Sequence, residues 1–561
     1  MKDPAEMRSG KFAAIAWVSI VLAFAASLWI RQAFPTFAIG DGTYDDLLFV
    51  RLADYLRQGR WLGPYDNLTL AKGAAYSGFI LVNYVLGLPL KLGEHVVYLA
   101  ASLYFSLVVG SVLRSRASTA VLFVVLAFNP IFWAPEVGGR VVRENLYVSL
   151  TLWLVALSVA VYVEPRAVSL AEDYRLKRVP LMGVGVVGAL FWLTREEGLW
   201  IAPSIFVLAA YWLWLNIRGR RRPLRPLLMF YVVPVACFAV VVGVVDAVNL
   251  ARYKVFRNND FRSSDYQSAY GALARIQHDR WAPYVVFPHD ARKRAYSVSP
   301  AAQELKPYFE GEKGEGWRGV SCEQTRGAVC EEIHSGWFMW ALRDAVASAG
   351  HYGSGRDSQA FYRRLAREVN AGCESGAIAC GPPNHSLIPP WHPNYLSSIL
   401  ASMRRISVTV AALGNPQVYL KPSVGSEEQL GLFRMMTRGR LSSAADVDSA
   451  EPRIAIAKVI ARTEVAVASI AIPIAILGWF VLLLRARWRR HPGHVVVAAL
   501  VCAFATRIAL LSILDATSIP SDNALYPSPV VALALAIAPC VLFLALRCFA
   551  GDTADPGPVP D

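Results

Sequence analysis

"SGFILVNYVLGLPL", residues 77–90, is the stretch whose reading decides the fold. It is apolar, but at 14 residues it is short, and it carries Asn83 and Pro89. A helix crossing a hydrocarbon core of ~30 Å needs about 20 residues, so a run of this length reads as re-entrant or interfacial. The choice sets the parity of everything downstream. Counted as a crossing, it puts Arg114 and Arg116 on the non-cytoplasmic side and inverts every later basic cluster, including "RGRRRPLR" at 218–225. Read as re-entrant, it leaves Lys2, Arg8 and Lys11, then Arg114 and Arg116, Arg175, Lys177 and Arg178, the 218–225 run, and Arg485, Arg487, Arg489 and Arg490 all in the cytoplasm. The positive-inside rule selects the second reading.

The runs on either side identify a polytopic membrane protein. Of 561 residues, 55% are hydrophobic and 17% charged, a membrane composition. Apolar runs at 12–30, 94–113, 118–133, 145–163, 180–194, 199–217, 227–250, 463–484, 494–514 and 528–546 make about ten spans. They must be helical, because lipid cannot satisfy backbone polar groups. The first run is read as an uncleaved anchor, its core being long for a signal peptide. The net charge of +14 reports topology: its basic residues lie between spans, so no nucleic-acid partner is expected.

The expected organisation is a transmembrane module over 1–251, with a first outer loop at 31–93. An inserted extracytoplasmic, mainly helical domain follows at 252–453, then transmembrane helices at 454–549 and a disordered cytoplasmic tail at 550–561. Both termini are expected in the cytoplasm, and the inserted domain outside. "GWFMWALRDAVASAG" and "SQAFYRRLAREVNAGC" give that domain helical apolar spacing. It also holds Cys322, Cys330, Cys373 and Cys380, an even set that reads as disulfides in an oxidising compartment. Local pairing is expected, with crossed pairing open. Zinc is the rival, but neither pair has the usual ligand spacing.

This topology collects the chemistry-bearing residues on one side. Asp45, Asp46 and Lys72 lie on the first outer loop, Arg140, Arg143 and Glu144 on the second, and Arg195, Glu196 and Glu197 on the third; Asp515 and Asp522 lie on the last. Thr43 to Asp46 fits a capping box opening an amphipathic helix, whose stripe of Leu48, Leu52, Tyr55 and Leu56 could lie on the membrane surface. In that reading Asp46 satisfies backbone donors. In the functional reading an ionised carboxylate, Asp45 first and Asp46 beside it, is a general base for an acceptor hydroxyl. Lys72, Arg140, Arg143 and Arg195 are then the cations that receive a departing phosphate, with Glu144, Glu196 and Glu197 as neighbours or partners.

Several short motifs, in order and on matching sides, resemble the GT-C superfamily of polytopic glycosyltransferases, family 39 and its aminoarabinose-transferase-like members in particular. "DDLLF" after the first span is similar to their D-E-x-x-Y/F element, and "LAKGAAY" to K-P-P-L-Y, with Gly73 and Ala74 where the family has prolines. "LAFNPIFW" resembles their span end, and "LTREEGLW" their R-x-E-G turn. "NALYPSPV" is a weaker likeness of a late "RYLLP…P" segment, without its arginine. The resemblance implies a GT-C-like fold and a polyprenyl-phosphate-linked sugar as donor, undecaprenyl or other, with an extracytoplasmic acceptor that is a glycan, lipid or protein. It implies Asp45 as base, Lys72 at the donor phosphate, and membrane lipids as partners. No cofactor or metal is expected, although the resemblance leaves a divalent metal open. The expected location is the bacterial inner membrane.

Two other classes compete: a transporter or flippase for a lipid-linked saccharide, and a non-catalytic scaffold. Transporters bind near the midplane, whereas these charges gather at span ends. The topology makes a direct prediction. Ser354→Cys in intact cells should react with a membrane-impermeant thiol reagent and Arg220→Cys should not; labelling at 220 from outside would reverse the sidedness of every residue above.

Overall fold

The computed structural model describes residues 4–163, 170–218, 224–485 and 491–549. The expected tail at 550–561, Lys2, the centre of the 218–225 basic run and Arg487, Arg489 and Arg490 lie outside the described residues. The first part of the chain forms α1 (Pro4–Arg31), α2 (Asp46–Arg57), α3 (Ala74–Val85), α4 (Leu90–Val112), α5 (Arg116–Ala127), α6 (Glu144–Tyr162), α7 (Leu170–Thr194), α8 (Ala202–Arg218) and α9 (Leu224–Tyr253). A run of shorter helices follows: α10 (Ser264–Ala274), α11 (His289–Val298), α12 (Pro300–Glu304), α13 (Lys306–Phe309), α14 (Glu312–Gln324), α15 (Ser335–Ser348), α16 (Gly355–Glu374), α17 (Asn394–Ala411), α18 (Glu427–Thr437) and α19 (Ala444–Asp448). The chain then forms α20 (Pro452–Leu484), α21 (Gly493–Thr517) and α22 (Ser528–Phe549). Among the described residues, β-pairing is confined to isolated bridges. The fold is an all-α polytopic membrane protein.

Among the described residues, eight helices are long and apolar enough to cross a membrane. The shorter apolar stretches Arg116–Phe132 and Arg178–Thr194 pack among them, α5 against α1, α4 and α22, and α7 against α6 and α9. These two, expected as spans from the sequence, are shorter than the eight and pack as part of the same bundle. α6 is apolar all round and 94% of its span is buried, so it forms the bundle's axis. Two spans begin earlier than hydropathy suggested. α4 starts at Leu90 because Lys91, Glu94 and His95 belong to its first turns, and α20 starts at Pro452, its first turns interrupted by Arg453, Lys458 and Arg462.

Contacts sort the helix ends into two faces. At one, the Arg547 guanidinium donates to the Arg114 carbonyl, and Gly493 lies against Leu113 and Leu544. At the other, Arg31 donates to the Gly138 carbonyl at 2.8 Å, and Tyr253 at the end of α9 donates to the Gly63 carbonyl at 2.9 Å. α3 has both ends on this second face. Its first residues follow Gly73, which packs on Leu193 at the end of α7, and near its last turn the Tyr84 carbonyl accepts from Arg438 at 2.8 Å. Five residues later α4 begins, and Lys91 reaches the Arg140 carbonyl on that same face. Residues 77–90 therefore do not cross, and the up-and-down order of the remaining helices closes without them.

α2 has both faces covered. Leu47, Phe49, Val50 and Ala53 belong to the core of the bundle, whereas Leu48 and Leu52 belong to a second core built by α10–α16. The stripe of Leu48, Leu52, Tyr55 and Leu56 therefore packs on protein, correcting the expectation that it faces lipid. The amphipathic pattern gave the side of the helix that is buried but could not say by what.

Two disulfides close short loops in the second core, Cys322–Cys330 and Cys373–Cys380. Loops of 8 and 7 residues are worth about 2–3 kcal/mol each in the chain-entropy account. Non-reducing peptide mapping should recover both linked peptides. Cys322→Ser/Cys330→Ser should lower the unfolding midpoint while leaving the membrane bundle's protease resistance intact.

Candidate active site

The site forms where three loops converge on the face shared by the two cores. After α1 the chain runs extended, the Phe37 amide donating to the Gly139 carbonyl at 2.9 Å, and this sets Phe37 beside Arg140, while Thr36 and Ile39 bridge Leu441 and Val424. The second loop reaches Arg140 through a π-helical turn, Pro135–Gly139. Gly138 is required there, since a Cβ would lie 2.0 Å from the Phe132 carbonyl oxygen. Gly73 has the same role beside Lys72: a Cβ would fall 1.8 Å from the Leu193 carbonyl oxygen. Glycine at this position thus lets the lysine loop pack directly on the end of α7.

Asp45, Asp46, Lys72, Arg140, Arg143, Glu144, Arg195, Glu196 and Glu197 each lie in this layer as one partner of an ion pair, whereas Asp515 and Asp522 pair with Arg405 at 2.5 and 3.8 Å. Lys72 Nζ donates to Asp45 Oδ1 at 2.7 Å. Arg140 forks onto Asp46 at 3.2 and 2.5 Å. Arg143 meets Glu196 at 2.7 Å, and Arg195 meets Glu144 at 2.6 Å and Glu197 at 3.4 Å. The two aspartates differ in kind. The Asp46 side chain is fully buried, and burial pushes its carboxyl above the ordinary value despite Arg140. The Asp45 side chain is 44% exposed. Burial opposes its ionisation, but Lys72, Arg140 and Arg143 outweigh it and hold the carboxyl below the ordinary value. Asp45 Oδ2 accepts no side-chain hydrogen bond among the described residues. The capping box expected at Thr43 to Asp46 does not form. Asp45 sits at the N-cap without a side-chain bond, Thr43 donates to the Asp41 carbonyl, and Asp46 serves Arg140.

The cations are not equally available. Arg195 is 3% exposed, clamped between two carboxylates and over the Tyr526 ring at 5.8 Å, so it fastens the third loop to the bundle. Arg143 is 9% exposed. Its partner Glu196 also accepts from Asn259 at 3.1 Å, and although burial opposes ionisation, Arg143 and Lys72 lower its carboxyl to about 2. Lys72 lies beneath the Trp340 ring at 5.0 Å, and Arg140 is 21% exposed.

Four contributors escaped the sequence reading. Arg507, fully buried in α21, donates to Glu197 at 3.1 Å and to the Tyr526 carbonyl at 2.5 Å. It thus brings an arginine to the "NALYPSPV" segment that lacks its own. An arginine inside an apolar run was the signal that could have found it. Lys91 and Glu94 pair at 2.8 Å beneath Arg140, and they too interrupt an apolar run. Arg262 carried no such signal. It stacks on Trp192 at 3.6 Å, donates to the Arg195 carbonyl at 3.1 Å, and forms no salt bridge among the described residues. No group of three or more His, Cys, Asp or Glu among the described residues is arranged to hold a metal ion.

No protein-family model matches the chain, and no curated protein matches it. Two crystal structures of ArnT from Cupriavidus metallidurans align with it, one in the apo state and one bound to undecaprenyl phosphate. The first is 13% identical and covers 94% of this chain and 78% of its own; the second is 12% identical and covers 96% and 79%. Both have a TM-score of 0.33, too low to establish a shared fold or activity.

The contrast between the aspartates is testable by stability alone. Asp46→Asn leaves Arg140 without its counter-charge and should cost about 3 kcal/mol or more. Asp45→Asn should cost less, because Asp45 is 44% exposed and water reaches the pair, although Lys72 beside it is buried. Thermal unfolding of the two purified variants, followed by fluorescence-detected size exclusion, should rank them in that order.

Proposed function

We propose that the protein is a membrane glycosyltransferase that moves a sugar from a polyprenyl-phosphate donor to an extracytoplasmic acceptor, with Asp45 as general base. The observation that carries the reading is the division of labour in the acid pair. One carboxylate is buried to hold the loops together, and its neighbour is exposed and kept ionised beside a lysine, at the membrane face opposite Arg114 and Arg547. The positive-inside rule makes that face extracytoplasmic. The order of the short motifs along the chain supports a GT-C-like assignment. Apart from Arg507, which lies midway along α21, the charges of this layer sit in loops or at helix ends, unlike the midplane site of a transporter.

The chemistry follows from the geometry. An acceptor hydroxyl beside Asp45 loses its proton to the carboxylate as its oxygen bonds to the anomeric carbon. The bond from that carbon to the phosphate oxygen breaks, and its electron pair leaves with the polyprenyl phosphate. The developing phosphate charge needs cations that are free to respond. Arg262 forms no salt bridge among the described residues, and its seat on Trp192 at the end of α7 suits a headgroup arriving along the bilayer surface. Lys72 and Arg140 complete the reading, while Arg143 and Arg195 act from the buried layer.

Asp45→Asn should insert and bind donor nearly as wild type yet transfer sugar at least about a hundredfold more slowly, the scale of a lost general base. The acid limb of kcat/KM should lie at lower pH than an ordinary aspartate would give, because Lys72, Arg140 and Arg143 hold the carboxyl below its usual range. Arg262→Gln should instead weaken donor binding, by about tenfold for one charge-assisted contact. Purified protein with a radiolabelled lipid-linked sugar measures all three, and full transfer activity in Asp45→Asn would sink the mechanism.

A further inference from the structure

An open cleft of about 600 Å³ lies beside the acid pair, between α14 and α15. Its α14 wall is one helical face, Lys313, Gly316, Trp317 and Val320, spaced as neighbours along a helix. Its floor is Tyr44, the residue directly before Asp45. The Tyr44 ring lies 5.3 Å from Trp317 and 5.1 Å from Trp340. Trp340 in turn covers Lys72, so one indole separates the cleft from the Asp45–Lys72 pair.

The polar groups of the cleft converge on Asp344. Tyr44 donates to it at 2.5 Å, Asn67 at 2.6 Å and Tyr308 at 3.2 Å, and the Trp317 indole N–H donates to the Tyr308 oxygen at 2.9 Å. The aromatic rings are thus locked by their own hydrogen bonds, facing a carboxylate and an amide that keep spare acceptor positions. The space is also kept open: a Cβ at Gly316 would meet nothing within 4 Å, and its backbone is ordinary helix.

From this arrangement we infer that the cleft is a saccharide-binding subsite that receives a sugar of the acceptor. Flat aromatic faces accept the C–H face of a pyranose, while a carboxylate and an amide take its hydroxyls. An alkyl chain would offer no partner to the spare acceptor positions of Asp344 and Asn67 or to the Lys313 ammonium. A phosphate would meet the Asp344 carboxylate. The acceptor role rests on the transferase reading above; the saccharide chemistry does not. An acceptor sugar held over Tyr44 has its next residue one side chain away from Asp45.

The test is binding, measured without turnover. Full-length protein in lipid nanodiscs is titrated with soluble hexasaccharides of glucose, galactose, mannose and N-acetylglucosamine, with a serine-rich hexapeptide and with inorganic phosphate, using saturation-transfer difference NMR. At least one hexasaccharide should bind saturably. Gly316→Phe, which fills the cleft, and Trp317→Ala, which removes one face, should each weaken it by about tenfold or more, the scale of a lost stacked ring. Absence of binding by all four sugars, binding of the peptide or phosphate alone, or unchanged affinity in Gly316→Phe would overturn the inference. Saccharide binding with no detectable transfer would keep the cleft and remove the transferase; transfer with no saccharide binding would do the reverse.

Discussion

The ion pair between Asp46 and Arg140 is the constraint on which the site depends. Its carboxylate is fully buried at the first turn of α2, and its arginine ends the π-helical turn of the second loop. Neither charge can be left alone in that position, because an uncompensated buried charge costs several kcal/mol. The pair therefore fixes how α2 meets the loop after α5. Once α2 is fixed, Asp45 is placed at its N-terminus, and the Lys72 loop follows through Gly73. A second layer supports the same point: Lys91, paired with Glu94, donates to the carbonyl of Arg140 itself. Most of the charge in this region is thus spent on holding loops in register, which leaves Asp45 and Arg262 as the groups with capacity to spare.

The membrane architecture was legible in the sequence because two independent signals agreed. Hydropathy gave the spans, and the basic clusters gave the parity once residues 77–90 were denied a crossing. The structure explains that denial physically, with both ends of α3 held on the site face by Leu193 and Arg438. The cysteine pairs were legible for a different reason. Their separation is so short that local closure needs no knowledge of the fold. Charged residues at helix ends were visible as a set, but their partners were not. Arg140 meets Asp46 across 94 positions and Arg507 meets Glu197 across 310, and no spacing rule reaches that far.

The misreadings share one cause. An amphipathic stripe reports that one side of a helix avoids water; it does not report what covers that side. Leu48 and Leu52 were assigned to lipid when they meet the α10–α16 core. In the same way Thr43 and Asp46 had the right spacing for a capping box, but a buried arginine outcompetes backbone amides for a carboxylate. The roles of Lys91, Glu94 and Arg507 were obscured because averaging over an apolar run hides a charge that the run tolerates only if it is paired.

The double coverage of α2 has a consequence for the order in which the molecule is made. α2 is synthesised early, yet the core that closes over Leu48 and Leu52, and the tryptophan that roofs Lys72, come from far later in the chain. Until α10–α16 have left the ribosome and folded, one flank of α2 stands open and the lysine is uncovered. The nascent protein therefore passes through a stage in which the membrane half is threaded but the centre of its charge layer is unfinished. Assembly of the site is a late event in biogenesis, and it waits on the folding of a segment that the membrane itself does nothing to guide.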